Sequence, residues 1–357
     1  MILGIETSCD ECSASIVRYQ PECFVQVCSV ATFSQIELHQ PYGGVVPEIA
    51  SRNHLETLNA MVDLALEKAQ VNYTDLEAIA VTNRPGLVGA LLVGVSAAKA
   101  LSYALNKPLV SVHHLEGHAA SIFLSEKSNE FRPKLSLPML LAVVSGGHTN
   151  LYVIRENPEE WSCDFLKKSL VGRSRDDAAG EAFDKIAKIL GFPYPGGVAI
   201  DVAAQKGNLD AFHFPRAMPQ KTVLDFSFSG LKTSVYLLVE KLRKENQLAS
   251  RINDICASAQ EAIVDALLAK IFLVIREFGC QSLAVVGGVA ANRRLRFRLS
   301  EQWESQGLPG FPFFPSLKYC TDNAAMIAAA GAFRLYQGHF LSGEAVLKLN
   351  AIANPEF

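Results

Sequence analysis

Short apolar blocks, broken by glycine and small polar residues, set the rhythm of this chain. Residues 2–5 are an apolar run that gives way to small and acidic residues, and two alternating stretches follow, 13–19 and 24–33. Period-two alternation after an apolar block predicts a meander that begins on a turn rich in hydrogen-bonding groups. The plan recurs from Pro138, where PMLLAVVSGGHTNLYVIRE reads as strand, glycine turn and alternating strand. A further apolar strand, 282–286, ends in Gly287-Gly288 and runs into a helix at Ala291 with Asn292 in its first turn. Helical periodicity covers 47–70, with Pro47 suited to the first turn, and 250–278. A last helix begins near Asp322 and carries Ala324, Ala325, Ala328, Ala329, Ala330 and Gly331, small enough for close packing. Each half continues into helices and short strands, which predicts two related α/β units facing each other across a cleft. The polar, proline-bearing segment 125–138 interrupts the alternation, and the boundary is expected there.

Two histidines four apart, His114 and His118 in VHHLEGHAAS, fall one above the other if that segment is helical. A third ligand from elsewhere would close a metal site with open positions, and Asp322 in YCTDNAAM is the candidate. The spacing equally allows buried histidines bonded to their neighbours. Glycine at strand ends lets backbone approach a phosphate or ribose, and a helix start offers N–H groups to anions.

Composition limits the rest. A chain of 357 residues with 49% hydrophobic content can bury large cores, and two domains are expected. Eight cysteines, at 9, 12, 23, 28, 163, 256, 280 and 320, show no paired zinc-ribbon spacing, and reduced thiols are expected. The first residues already read as a core strand, so no targeting segment is expected and the place is cytoplasmic. Residues 87–105 are apolar enough to suggest a membrane span, yet their small residues and Lys99 favour a buried helix, with no membrane partner. Net charge is −3, which is weak for a protein binding RNA alone. Basic runs at Lys167, Lys168, Arg173 and Arg175, and at Arg293, Arg294, Arg296 and Arg298, are the local candidates. The run from Lys241 to Lys244 reads as a solvated helix face.

The motifs GIETSCDE (4–11), PYGGVVPEIASRNH (41–54), PGLVGALLVG (85–94), HHLEGH (113–118), VSGGHTNLY (144–152), DDAAGEAFDKIAKILGFPYPGG (176–197), FSFSGLKT (226–233), GGVAANRRLR (287–296) and CTDNAAM (320–326) follow one another in a familiar order. In these the chain resembles the TsaD family, the tRNA adenosine threonylcarbamoyltransferases once described as O-sialoglycoprotein endopeptidases. The resemblance implies a two-lobed actin-like, sugar-kinase-like (ASKHA) α/β fold of duplicated RNase H-like units with a central nucleotide cleft. The expected lobes are 1–130 plus 322–357, and 131–321.

It also implies a reaction. The threonylcarbamoyl group of threonylcarbamoyl-AMP passes to the N6 amine of the adenosine 3′ of the anticodon, in tRNAs reading codons that begin with A, and AMP leaves. His114, His118 and Asp322 would hold one divalent metal ion per subunit, iron ahead of zinc. Val144, Ser145, Gly146, Gly147 and His148 would form the phosphate- and substrate-binding turn. Asp184, Gly197, Asp201 and Asn292 match positions that hold the nucleoside. Asp10 or Glu11 would accept the amine proton or orient a metal-bound water. Glu181 and Asp184 equally suit a capped helix start, and for Asp176 and Asp177 a capped, solvated helix start is the expected role. Partners implied are tRNA, a TsaB-like paralogue bound through the first lobe, a TsaE-like ATPase and a TsaC-like enzyme that makes the intermediate. The alternatives are a metal-dependent peptidase, whose histidine helix would need a glutamate directly after the first histidine, and a non-catalytic nucleotide-binding module. One departure stands out: the family carries glycine before Pro85-Gly86, where this chain has Arg84, so a locally different turn is expected.

Overall fold

The computed structural model describes residues 1–21, 24–127, 135–157, 160–161, 165–220 and 222–354. Cys23, Cys163 and half of the boundary segment 125–138 lie outside them. The elements in chain order are β1 (Ile2–Glu6), β2 (Glu11–Arg18), β3 (Val25–Ser34), α1 (Ile36–His39), α2 (Pro47–Ala69), β4 (Ala78–Arg84), α3 (Val88–Leu105), β5 (Leu109–His113), α4 (His114–Ala120) and β6 (Leu124–Ser125). Then come β7 (Met139–Val144), β8 (Thr149–Ile154), α5 (Phe165–Ser169), β9 (Leu170–Arg173), α6 (Ala179–Leu190), α7 (Gly196–Ala204), α8 (Ser229–Lys244), α9 (Leu248–Phe278), β10 (Ser282–Val286), α10 (Arg293–Ser305) and α11 (Ala324–Tyr336). The chain divides into two compact units, one of Met1–Lys134, Glu156–Phe165 and Pro315–Phe357, the other of Leu135–Arg155 and Leu166–Phe314.

The first unit is built on a sheet of order β5-β4-β1-β2-β3-β6. β1 pairs antiparallel with β2 and parallel with β4. The second unit has the order β10-β7-β8-β9, with β7 antiparallel to β8 and parallel to β10. Strands β7, β8, β9 and β10 thus repeat the topology of β1, β2, β3 and β4, and the duplication read from pattern is a duplication of connectivity. Antiparallel neighbours are consecutive strands in the chain, whereas each parallel neighbour needs a crossover, supplied by α2 in the first unit and by helices through α9 in the second.

Helix α11 determines where the first unit's chemistry sits. All its residues from Ala324 to Arg334 are buried, and a methyl added at Gly4 would lie 2.2 Å from the Ala324 carbonyl oxygen. One at Gly331 would lie 2.3 Å from Ala80 Cβ. Small residues therefore let the helix lie backbone-close on β1 and β4. A methyl at Gly117 would meet Ile327 at 2.6 Å, so α4 packs on the same helix as tightly.

Among the described residues one helix, α3, is long and apolar enough to cross a membrane. Its Ala90, Leu91, Gly94, Val95 and Ala98 are buried, Gly94 facing Thr7, and Lys99 donates to the Leu349 carbonyl at 3.1 Å. Arg84 ends β4 opposite His113 without positive φ, so the strand accommodates it. The close approach falls instead at Gly86, where a methyl would lie 2.6 Å from the Ser8 carbonyl oxygen.

Candidate active site

Strand β5 delivers the chain into α4 at His113, whose Nδ1 accepts the Leu115 N–H while Glu116 reaches back to the His113 N–H. This reciprocal cap starts the helix at His114 and projects His114 and His118 from one face. Asp322 stands just before α11, whose N-cap Asn323 accepts the Met326 N–H. Asp322 Oδ1 lies 3.4 Å from His114 Nε2 and 3.3 Å from His118 Nε2. The three ligand atoms all fall within 4.8 Å of one another.

These residues fit a cation. His118 is 0% exposed; its Nδ1 has no hydrogen-bond partner, and its Nε2 has only Asp322 Oδ1 close by, at 3.3 Å. An orphaned buried imidazole whose Nε2 converges with a second imidazole and a carboxylate is the donor arrangement of a metal site. His114 uses its other nitrogen on Glu6 Oε2 at 3.2 Å, a carboxylate–histidine pair that fixes the ring and leaves Nε2 for a metal. Glu6 also accepts from Ser8 N–H and from the Thr82 hydroxyl at 2.6 Å. Ser8 Oγ stands 3.2 Å from the same His114 nitrogen.

Burial opposes charge on Asp322, but His114 and His118 outweigh it and hold the carboxyl well below its ordinary range. Burial likewise opposes charge on Glu6, and His114 again prevails, lowering it. Burial, then Asp10 and Asp322, pushes Glu11 well above the usual carboxylate value. Asp10 and Glu11 therefore share an electrostatic neighbourhood with the triad. Cys9 and Cys12 are free thiols; burial raises both, Cys12 to about 11, which suits inert rather than redox cysteines.

Glu6, Ser8 and Thr82 are the functional neighbours that sequence reasoning missed. The available signal was Glu6 itself, a carboxylate closing an otherwise apolar strand within the GIETSCDE motif.

In the second unit, the turn after β7 rests on glycines. Ser145 N–H donates to the His148 carbonyl at 2.7 Å, and Ser145 Oγ accepts the His148 N–H. The N-terminus of α6 docks on this turn: Gly180 N–H donates to the Ser145 carbonyl at 3.1 Å, and Ala179 N–H to Thr149 Oγ1 at 2.8 Å. A methyl at Gly180 would lie 2.6 Å from Ser145 O, and one at Gly287, where φ is +93°, 2.5 Å from Val144 O. Nothing lies within 4 Å of where Gly146 and Gly147 would carry one, so the turn is open on that side. Backbone N–H groups on a glycine turn beside a helix start favour an anion.

Asp184 Oδ1 accepts the Gly196 N–H at 2.7 Å, fixing the turn that opens α7 beside Gly197. Asp201, also on α7, binds Arg293 at 2.7 Å and lies 3.4 Å from Asn292 Nδ2. Asn292 caps α10 by accepting the Leu295 N–H and donates to Gln260 at 2.7 Å. It precedes the helix as its cap rather than lying in its first turn, because Gly288–Ala291 forms a separate 3-10 turn.

The basic run on α10 is already occupied. Arg294 and Arg298 bind Glu261, Arg298 also meets Asp265, and Arg296 donates to the Ala290 carbonyl. Asp176 is not free either. It accepts from Phe228 N–H, Ser229 N–H and the Ser227 and Ser229 hydroxyls, capping α8.

The chain's relatives are consistent in kind. Residues 26–329 match the family model described as TsaD: tRNA N6-adenosine threonylcarbamoyltransferase. The chain is similar to the tRNA N6-adenosine threonylcarbamoyltransferase of an Anaeromyxobacter species, 51% identical over 94% of this chain and 95% of that one. It is likewise similar to that of Caldicellulosiruptor saccharolyticus, 46% identical over 95% of this chain and 94% of the relative. Among solved structures it matches the activator of 2-hydroxyisocaproyl-CoA dehydratase from Clostridium difficile, 14% identical over 94% of this chain and 96% of the other, with a TM-score of 0.49.

Proposed function

The chain belongs to the TsaD family, the tRNA N6-adenosine threonylcarbamoyltransferases, and from that premise we propose how its residues divide the reaction. The donor is threonylcarbamoyl-AMP, the acceptor the N6 amine of the adenosine 3′ of the anticodon, and AMP leaves. His114, His118 and Asp322 hold one divalent ion, with iron ahead of zinc, and the observation that carries this is the orphaned, buried His118 imidazole converging on Asp322. When bound, that ion supplies Lewis-acid polarisation of a carbonyl. Glu6 and Ser8 fix the His114 ring so that Nε2 faces inward.

Asp10 or Glu11 is the carboxylate that takes the proton from the attacking amine. The open turn at Gly146 and Gly147, flanked by Val144, Ser145 and His148 and backed by the α6 N-terminus, holds phosphate. Asp184, Gly197, Asp201 and Asn292 hold the nucleoside. A TsaB-like paralogue seats on the groove of α2 and α3, lined by Leu55, Leu58, Leu92 and Ala97, where Leu55 is 67% and Leu92 48% exposed. A TsaE-like ATPase and a TsaC-like enzyme complete a cytoplasmic system.

Peptide hydrolysis finds no support in the geometry. Glu116, the acidic residue of the histidine helix, is clamped by Nε and Nη2 of Arg334 and is not available to activate water. Reconstitution with tRNA, purified partners and threonylcarbamoyl-AMP, followed by nucleoside mass spectrometry, tests the assignment. His114→Ala is expected to abolish the modified nucleoside while nucleotide binding persists; modified nucleoside at the wild-type level would remove the metal site from the reaction.

A further inference from the structure

The motif spanning 41–54 has no part in the division of labour above, yet it encloses a buried polar chain. Gln35, His39 and His54, all in the first unit, are each 0% exposed. Val46 N–H donates to His39 Nδ1 at 3.2 Å, so this nitrogen is bare and the ring proton sits on Nε2. His39 Nε2 then donates to Gln35 Oε1 at 3.2 Å. The Gln35 amide nitrogen donates to the Ala50 carbonyl at 3.3 Å, and because a carbonyl only accepts, the orientation of the Gln35 amide is determined. Its second proton goes to His54 Nδ1 at 3.2 Å, which leaves His54 protonated on Nε2, and that N–H donates to the Cys9 carbonyl at 2.9 Å. Gln35 finally gives its own backbone N–H to the Asp10 carbonyl at 3.2 Å. Every donor meets an acceptor only when both rings are neutral and both carry Nε2–H.

We infer that Gln35 is a positioning residue for the transfer: directly and through His54 it holds the two successive carbonyls, Cys9 and Asp10, of the backbone that presents Asp10 and Glu11. The inference rests on the reading of Asp10 or Glu11 as the carboxylate that acts on the amine. A fully satisfied buried network specifies one arrangement, and exchanging one donor for an acceptor leaves buried lone pairs facing each other. Gln35→Glu makes that exchange at nearly constant shape, confronting the Ala50 carbonyl and His54 Nδ1 with an oxygen.

Long-range nitrogen–proton NMR of the full-length protein labelled in histidine, at neutral pH, reads the tautomers without any turnover, with His39→Asn and His54→Asn assigning the signals. Both rings are expected to be neutral with the proton on Nε2. In Gln35→Glu, His54 is expected to leave that state, and kcat to fall about tenfold to hundredfold, as small misplacements of reacting groups do. KM for threonylcarbamoyl-AMP and bound metal are expected to stay at wild-type values, a split that general loss of structure would not produce. A wild-type spectrum with either ring as Nδ1–H or doubly protonated overturns the proposal whether or not the variant folds, and so does Gln35→Glu with unchanged kcat. If Asp10→Asn and Glu11→Gln both keep full activity while the tautomers stand as assigned, the carboxylate reading is what has failed, and the positioning role goes with it.

Discussion

Arg334 grips Glu116 through two parallel hydrogen bonds, Nε to Oε2 at 2.9 Å and Nη2 to Oε1 at 2.8 Å, with 8% and 4% of the two residues exposed. A third donor, Nη1, reaches the Ser111 carbonyl at 3.2 Å. The pair bolts α11, which follows Asp322, to α4, which carries His114 and His118. It therefore helps determine whether the two ligands of α4 meet the one that precedes α11.

Removing one side of such a pair strands a buried charge, so Arg334→Met is expected to destabilise the chain by about 3–5 kcal/mol. Adding Glu116→Leu should recover most of the loss, because the desolvation of both charges is then absent. Thermal melting of the single and double variants checks this. Equal melting points for the two would show that the carboxylate finds water, and that the pair is not buried as described.

Metal loading gives the next expectation. Asp322→Ala leaves two neutral imidazoles, an incomplete set, and is expected to lose metal and transfer activity together. Glu6→Gln keeps the ligands but weakens the carboxylate behind His114, and metal affinity is expected to fall by about tenfold to hundredfold, the usual scale when a ligand's own hydrogen-bond partner is lost. Equilibrium dialysis against iron and zinc salts measures both. Full stoichiometry in Asp322→Ala would remove that residue from the ligand set.

Much of this was legible from sequence, and the rest has a physical reason for its silence. The i, i+4 histidines belong to one helix face, so their pairing is local information, and the small residues after Asp322 announce a helix that packs closely. Glu6 was silent because its role depends on β1 lying beside β4, which brings Thr82 to it, and on α4 standing above; a strand register is not local. The arginines of α10 misled in the opposite sense. Their charge is plain in the sequence, but the neutralising Glu261 and Asp265 sit on α9 and face them only through packing. Asp176 behaved as the cap expected of it, although the helix it caps is α8, about fifty residues further on.

Asp184 tests the nucleoside assignment. Asp184→Ala is expected to weaken adenylate binding by about tenfold to hundredfold, the scale of a hydrogen bond to a charged group, without releasing the metal. Calorimetric titration with a non-hydrolysable adenylate measures it. An unchanged affinity would remove Asp184 from nucleoside binding and leave it a structural residue of the turn before α7.

Acid should reveal the cap on α8. Burial opposes charge on Asp176, but hydrogen bonds from Ser227, Phe228 and Ser229 outweigh it and lower the carboxyl below its ordinary value. A depressed folded-state value contributes stability that is fully present above the unfolded value, near 3.8, and lost as pH falls through the folded one. Asp176→Ala is therefore expected to cost about 0.5–2 kcal/mol at neutral pH, the usual worth of such a cap. The gap between variant and wild-type melting points should narrow as pH falls below that unfolded value. A gap independent of pH would mean that the hydroxyls, not the charge, hold the cap.

The last expectation concerns RNA. Lys167 and Lys168, both exposed on α5, are the candidate phosphate contacts on the second unit. The net acidic chain alone should bind tRNA weakly, and partners that add basic surface should strengthen it. Charge reversal of both lysines to glutamate is then expected to lower tRNA affinity in the assembled complex while leaving adenylate binding unchanged. Counterion release makes the test quantitative, because each lost phosphate contact reduces the log–log salt slope by roughly 0.7–0.9. Filter binding across a salt series, with wild type and double variant in parallel, reads that slope directly. If the slope does not change, these lysines belong to a solvated surface, and the tRNA path runs over a partner.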